Sequence, residues 1–72
     1  MDKTVERYNK LILADRITVR AAYDYITDQR KGGRTPISAI KKLQKLGYED
    51  RLVEIAATLW SKCLAPWVGK IE

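Results

Sequence analysis

The sequence predicts an all-α fold: a compact four-helix domain spanning residues 1–72, with 66–72 as a short C-terminal tail. Three observations predict it. Apolar residues recur three and four positions apart along most of the chain, and no stretch keeps the strict alternation of a strand. The four glycines and two prolines cluster, cutting the chain into pieces of helical length. With 46% apolar and 32% charged residues, the chain has the balance of a globular protein rather than a disordered one.

The first helix is expected from about Thr4 to Ala14, with Val5, Tyr8, Leu11 and Ile12 on one face. Asp15 and Arg16 interrupt that pattern. Thr18 is the expected N-cap of a second helix reaching about Gln29, with Val19, Ala22, Tyr23 and Ile26 as its inner stripe. The third helix has the clearest punctuation. Thr35 caps it, Pro36 takes the first helical position where its missing N–H is harmless, and Gly47 ends it. Ile37, Ile40, Leu43 and Leu46 are expected to point inward, with Ser38, Lys41, Lys42 and Lys45 on the opposite face.

A fourth helix, from about Asp50 to Leu64, is apolar over much more than one stripe, which predicts a central place in the bundle or a second burial in an oligomer. Pro66 stops it. The apolar members of the tail either fold back on the bundle or dock elsewhere. Trp60, Leu64, Trp67, Val68 and Ile71 are the candidate protein-interaction residues, because aromatic anchors dominate many interfaces.

Composition excludes several chemistries. With no histidine and the single Cys63, a disulfide scaffold, a Cys/His zinc site and His-based acid–base catalysis are ruled out. Cys63 falls on the apolar side of the fourth helix and is expected to be a buried structural thiol. Asp24 and Asp28 share a helical face, but cations on neighbouring turns make a solvated charged surface the better reading. The run Gly32-Gly33-Arg34-Thr35 lacks the spacing of a phosphate-binding P-loop. No enzyme activity, metal or cofactor is expected. The chain has no apolar stretch near the ~18 residues of a membrane span and no signal-like N-terminus, so a cytoplasmic, non-membrane protein is expected. A domain of this size buries only about 60% of its unfolded surface, which favours a homodimer or a bound partner.

Charge placement carries the functional expectation. Residues 1–29 hold five cations and five anions, and residues 49–72 hold three and four. Between them, Arg30, Lys31, Arg34, Lys41, Lys42 and Lys45 stand with no acid, and they supply the whole net charge of +5. The stretch Arg30–Arg34 reads as a flexible cationic loop whose glycines, Gly32 and Gly33, allow close backbone approach. It leads into the capped start of the third helix, where free N–H groups and the helix dipole favour anions. A linear polyanion fits such a surface, and nucleic acid is the candidate, DNA ahead of RNA. A merely solvated basic surface is the bland alternative, although ordinary soluble helices intersperse both signs.

Two helix pairs can be tested as a helix-turn-helix. In the third and fourth, the reading helix would begin Glu49-Asp50, whose charge repels phosphate. In the second and third, the reader exposes Thr35, Ser38, Lys41, Lys42 and Lys45, so charge agrees with function, although a connection from Arg30 to Arg34 makes the likeness a loose one. Lysine contacts phosphates as a point charge, whereas base reading favours Arg, Asn and Gln, so modest sequence specificity is expected. The first expectation is therefore a small DNA-binding regulator, of the compact kind found in bacteria and phages. The second is a non-enzymatic adaptor or inhibitor docking on a larger protein through the fourth helix and the tail.

Overall fold

The computed structural model describes residues 2–67, which form four helices: α1 Lys3–Asn9, α2 Leu13–Lys31, α3 Pro36–Lys45 and α4 Asp50–Ser61. No strand occurs among the described residues, so the all-α expectation holds. The Cα radius of gyration is 11.7 Å, close to the ~11 Å of a compact chain of this length.

α4 contacts each of the other three helices, and its main partner is α2. Its breadth of apolar sequence is thus used inside the bundle. Leu52, Val53, Ile55, Ala56 and Leu59 of α4 join Val19, Ala22 and Ile26 of α2, Ala39 and Leu43 of α3, and Tyr8 of α1 in one core. No buried side-chain polar atom among the described residues lacks a hydrogen-bond partner.

Three helices end in the same way. Beyond α2, α3 and α4 the chain turns left-handed at Gly33 (φ 85°), Gly47 (φ 94°) and Cys63 (φ 56°). In each case the next amide reaches back to a carbonyl five residues earlier: Arg34 N–H to Gln29, Tyr48 N–H to Leu43 and Leu64 N–H to Leu59, at 2.9, 3.2 and 2.8 Å. These are Schellman caps, which satisfy carbonyls the helix leaves open. Glycine adopts the left-handed region without cost; cysteine does not.

That last cap corrects the reading of α4. The helix ends at Ser61, well before Pro66, and Cys63 is exposed at the turn rather than buried. The chain then brings Trp67 back onto the bundle. Its ring lies 5.3 Å from that of Tyr8 and 5.0 Å, edge-on, from that of Tyr23. The Arg20 guanidinium sits 5.6 Å from the same indole.

The first helical boundary also differs from expectation. α1 stops at Asn9, and α2 begins at Leu13 and runs unbroken through Asp15 and Arg16. Thr18 is therefore not a cap; its hydroxyl donates to the Ala14 carbonyl inside the helix, 3.1 Å away. Ile12 holds the N-cap position without a side-chain bond and is 68% exposed. The corner is fastened instead by Arg16, which donates from Nε to the Leu11 carbonyl at 3.0 Å and from Nη2 to the Asn9 carbonyl at 2.6 Å. A guanidinium thus satisfies carbonyls near the end of α1, a task usually left to water or a cap. At the chain's start, Asp2 caps α1 through the Thr4 amide at 2.8 Å and meets Lys62 at 3.1 Å. The Thr4 N–H, followed by the Lys62 ammonium, holds the Asp2 carboxyl below its ordinary pKa.

Candidate nucleic-acid interface

The basic segment is built around α3, and the local sequence explains its start. The Thr35 hydroxyl accepts from the Ser38 amide at 3.2 Å, with Pro36 at the first helical position. Because Pro36 has no N–H and the Ala39 amide already donates to the Thr35 carbonyl, little of the helix N-terminus is left open. The Thr35 and Ile37 amides stand outside the hydrogen bonds found among the described residues. The expected cluster of free N–H groups is thus reduced to two, since the cap takes the Ser38 amide and Pro36 has none. The positive potential of this surface comes chiefly from its side chains.

Lys41, Lys42 and Lys45 are exposed, as are Thr35 and Ser38. Together with Ile37 they line a concavity of ≈ 420 Å³ on the outer face of α3. Ile37 is a correction to the inward stripe. Ile37, Ile40, Leu43 and Leu46 are each three residues apart, and at about 100° per residue such a series turns away from its starting direction, so its two ends lie about 180° apart. Ile37 is accordingly 66% exposed and Leu46 67%, while Ala39 and Leu43, four apart, face the core. Ile40 is half-buried. The separation of apolar from cationic residues on α3 is therefore incomplete, with an isoleucine set beside lysines. Applying the angle to every position of the stripe would have found it from the sequence.

The α2–α3 corner is more ordered than a flexible loop. Arg30 and Lys31 belong to the last turn of α2, where their charge complements the helix dipole. The connection is the four residues between Lys31 and Pro36. Of the two glycines, Gly33 is required by its left-handed φ, whereas Gly32 has ordinary backbone geometry at φ −79°. The glycine pair thus has a structural task in ending α2. The Arg34 guanidinium donates to the Gln29 side-chain oxygen at 3.2 Å, a neutral partner that leaves its charge uncompensated. Arg30, Lys31, Gly32, Gly33 and Arg34 are all exposed.

None of the six cations between Arg30 and Lys45 makes an ion pair with a described residue. Elsewhere in the fold Lys3 and Lys10 are likewise without an ion pair to a described residue, but three cations are paired. Arg51 lies 3.1 Å from Asp15 and 2.9 Å from Glu49, Lys62 meets Asp2, and Arg7 is 3.7 Å from Glu54. The two carboxylates raise the pKa of Arg51, Asp15 first through its hydrogen bond.

Of the residues singled out for protein contact, Trp60 and Leu64 are half-buried against the core, as is Trp67 at the place described above. Val68 and Ile71 lie outside the described residues. Asp24 and Asp28 are exposed, and no group of three or more metal-ligating side chains is assembled among the described residues. No helix there is long and apolar enough to cross a membrane. Comparison with known proteins gives no match to a protein family, a curated protein or a solved structure.

Proposed function

We propose that this chain is a small, non-catalytic, cytoplasmic regulator that binds nucleic acid, DNA ahead of RNA, through the outer face of α3 and the α2–α3 corner. The observation that supports this reading is the run of cations without ionic partners. Arg30, Lys31, Arg34, Lys41, Lys42 and Lys45 form an exposed set in which none is neutralised by a described carboxylate. Like charges gathered this way repel one another, and a polyanion relieves that repulsion while releasing its own counterions.

In this reading α2 supports α3 as in a helix-turn-helix, and the four-residue connection suits such a pair. Lys41, Lys42 and Lys45 contact phosphates and set affinity. Ser38 is the hydrogen-bonding side chain best placed to discriminate bases, since the Thr35 hydroxyl already serves the cap. Ile37, exposed beside the lysines, adds an apolar contact of the kind that meets a thymine methyl. Weak sequence preference over a strong electrostatic background follows.

The test is the triple variant Lys41→Glu/Lys42→Glu/Lys45→Glu, assayed for duplex binding at low salt. All three side chains are exposed and make no ion pair with a described residue, so the helical circular dichroism should persist. Affinity should fall by at least about a hundredfold, since three contacts are replaced by three repulsions. Undiminished binding by the folded variant rejects the proposal.

A further inference from the structure

A second concave surface lies on the other side of α3, and its chemistry is the opposite of the first. A trough of ≈ 720 Å³ separates α3 from α4, floored chiefly by Ile40, Val53, Ala57 and Trp60. Its α4 wall extends from Asp50 to Ser61, the whole helix, or about 16 Å at 1.5 Å per residue. The α3 wall repeats every fourth residue, at Pro36, Ile40 and Gln44. The α3 wall thus presents one side chain per turn and the α4 wall about two, rows of the kind into which the ridge of another helix packs. Ala57, small and midway along the floor, lets a backbone come close.

The rim decides what the trough accepts. In a chain of net charge +5, no described Lys or Arg lines it, and Asp50 and Glu54 stand on the α4 edge one turn apart. Glu54 has a distant partner in Arg7 at 3.7 Å; Asp50 makes no ion pair with a described residue. Those carboxylates repel a phosphate backbone, so this is not an extension of the basic face. We propose that the trough is a docking site for an amphipathic helix of a protein partner, one whose apolar ridge fills the floor and whose flank carries Lys or Arg against Asp50 and Glu54. The proposal stands independently of the nucleic-acid reading, because it uses other residues and the opposite charge.

The probe is a display library of helical peptides about 14 residues long, with leucines at one-turn spacing and flanking positions randomised among Lys, Glu and Ser. It is selected against the full chain in the absence of nucleic acid. Selected peptides should be rich in Lys on one flank and should shift the amide resonances of Ile40, Val53, Ala57 and Trp60. Their affinity should fall about tenfold for the variant Asp50→Asn/Glu54→Gln. Ala57→Arg, which fills the floor, should abolish binding. If that variant unfolds, the neutralising pair still decides, because both its positions are exposed. Failure to select any peptide, selection without charge preference, or affinity unchanged by neutralising both carboxylates overturns the proposal. So does sedimentation showing that the free chain dimerises through the trough, which would assign it to a second copy.

Discussion

The same residue types serve two different purposes in two regions of this molecule. On α1, α2 and α4 and at the C-cap of α4, Arg7, Arg51 and Lys62 pair with carboxylates, Arg16 binds backbone carbonyls, and Arg20 lies over Trp67. From Arg30 to Lys45, by contrast, exposed cations project without an ionic partner among the described residues. The paired set joins distant parts of the chain: Arg51 reaches Asp15 across 36 residues and Lys62 reaches Asp2 across 60. The unpaired set makes no such long-range tie among the described residues; Arg34 reaches only Gln29, five residues away. Exposed ion pairs contribute little individually, but the contrast separates cations that organise the fold from cations available to a partner. Mutations in the two regions should therefore separate stability from binding.

The strongest challenge to that separation lies within α3 itself, where one helix has a core side and the proposed binding face. Leu43 is 1% exposed in the core, and Leu43→Ala should cost about 3 kcal/mol of stability through lost burial and the cavity left behind. Urea denaturation should show that loss, whereas Lys41→Ala on the outer side should leave the midpoint almost unchanged and weaken binding.

Arg16→Ala tests the structural use of a cation. It removes two hydrogen bonds from the α1–α2 corner and the guanidinium 5.9 Å from the Tyr8 ring. A loss of about 1–2 kcal/mol is expected in denaturant titration, since the carbonyls at this corner retain partial access to water. The salt dependence of nucleic-acid binding should not move. A changed salt slope with unchanged stability would place Arg16 in the other set.

A smaller effect, of opposite sign, is expected at the end of α4. Cys63 occupies a left-handed position at φ 56°, the place that Gly33 and Gly47 fill in the equivalent caps of α2 and α3. Cys63→Gly should raise stability by about 0.5–1 kcal/mol by relieving that backbone conformation. A lower thermal midpoint would mean that the thiol contributes more than its exposed position indicates.

These elements also show which features local sequence carries. The start and end of α3 are legible because Thr35, Pro36 and Gly47 act through their own backbone geometry and immediate neighbours. The inner stripe of α2 is legible at Val19, Ala22 and Ile26 because their spacing keeps them on one face. The α1–α2 corner is not, since no glycine, proline or capping side chain marks Ile12 and the fastening comes from Arg16 in the next helix. The exposure of Cys63 is not legible either, because its position in a helical pattern says nothing about where the helix yields to a left-handed turn. At the candidate interface, the absence of acid is a property of consecutive residues and can be read directly. Which cations are paired depends on tertiary approach, and so does the trough, whose walls come from separate helices.

The most direct test of the central claim, that the cations between Arg30 and Lys45 are held for a polyanion, is a titration of the wild-type chain against duplex DNA over a series of salt concentrations. With four to six phosphates contacted, log affinity should fall against log salt with a slope of about −4 to −5. A slope near zero, or no binding even at low salt, would contradict the account.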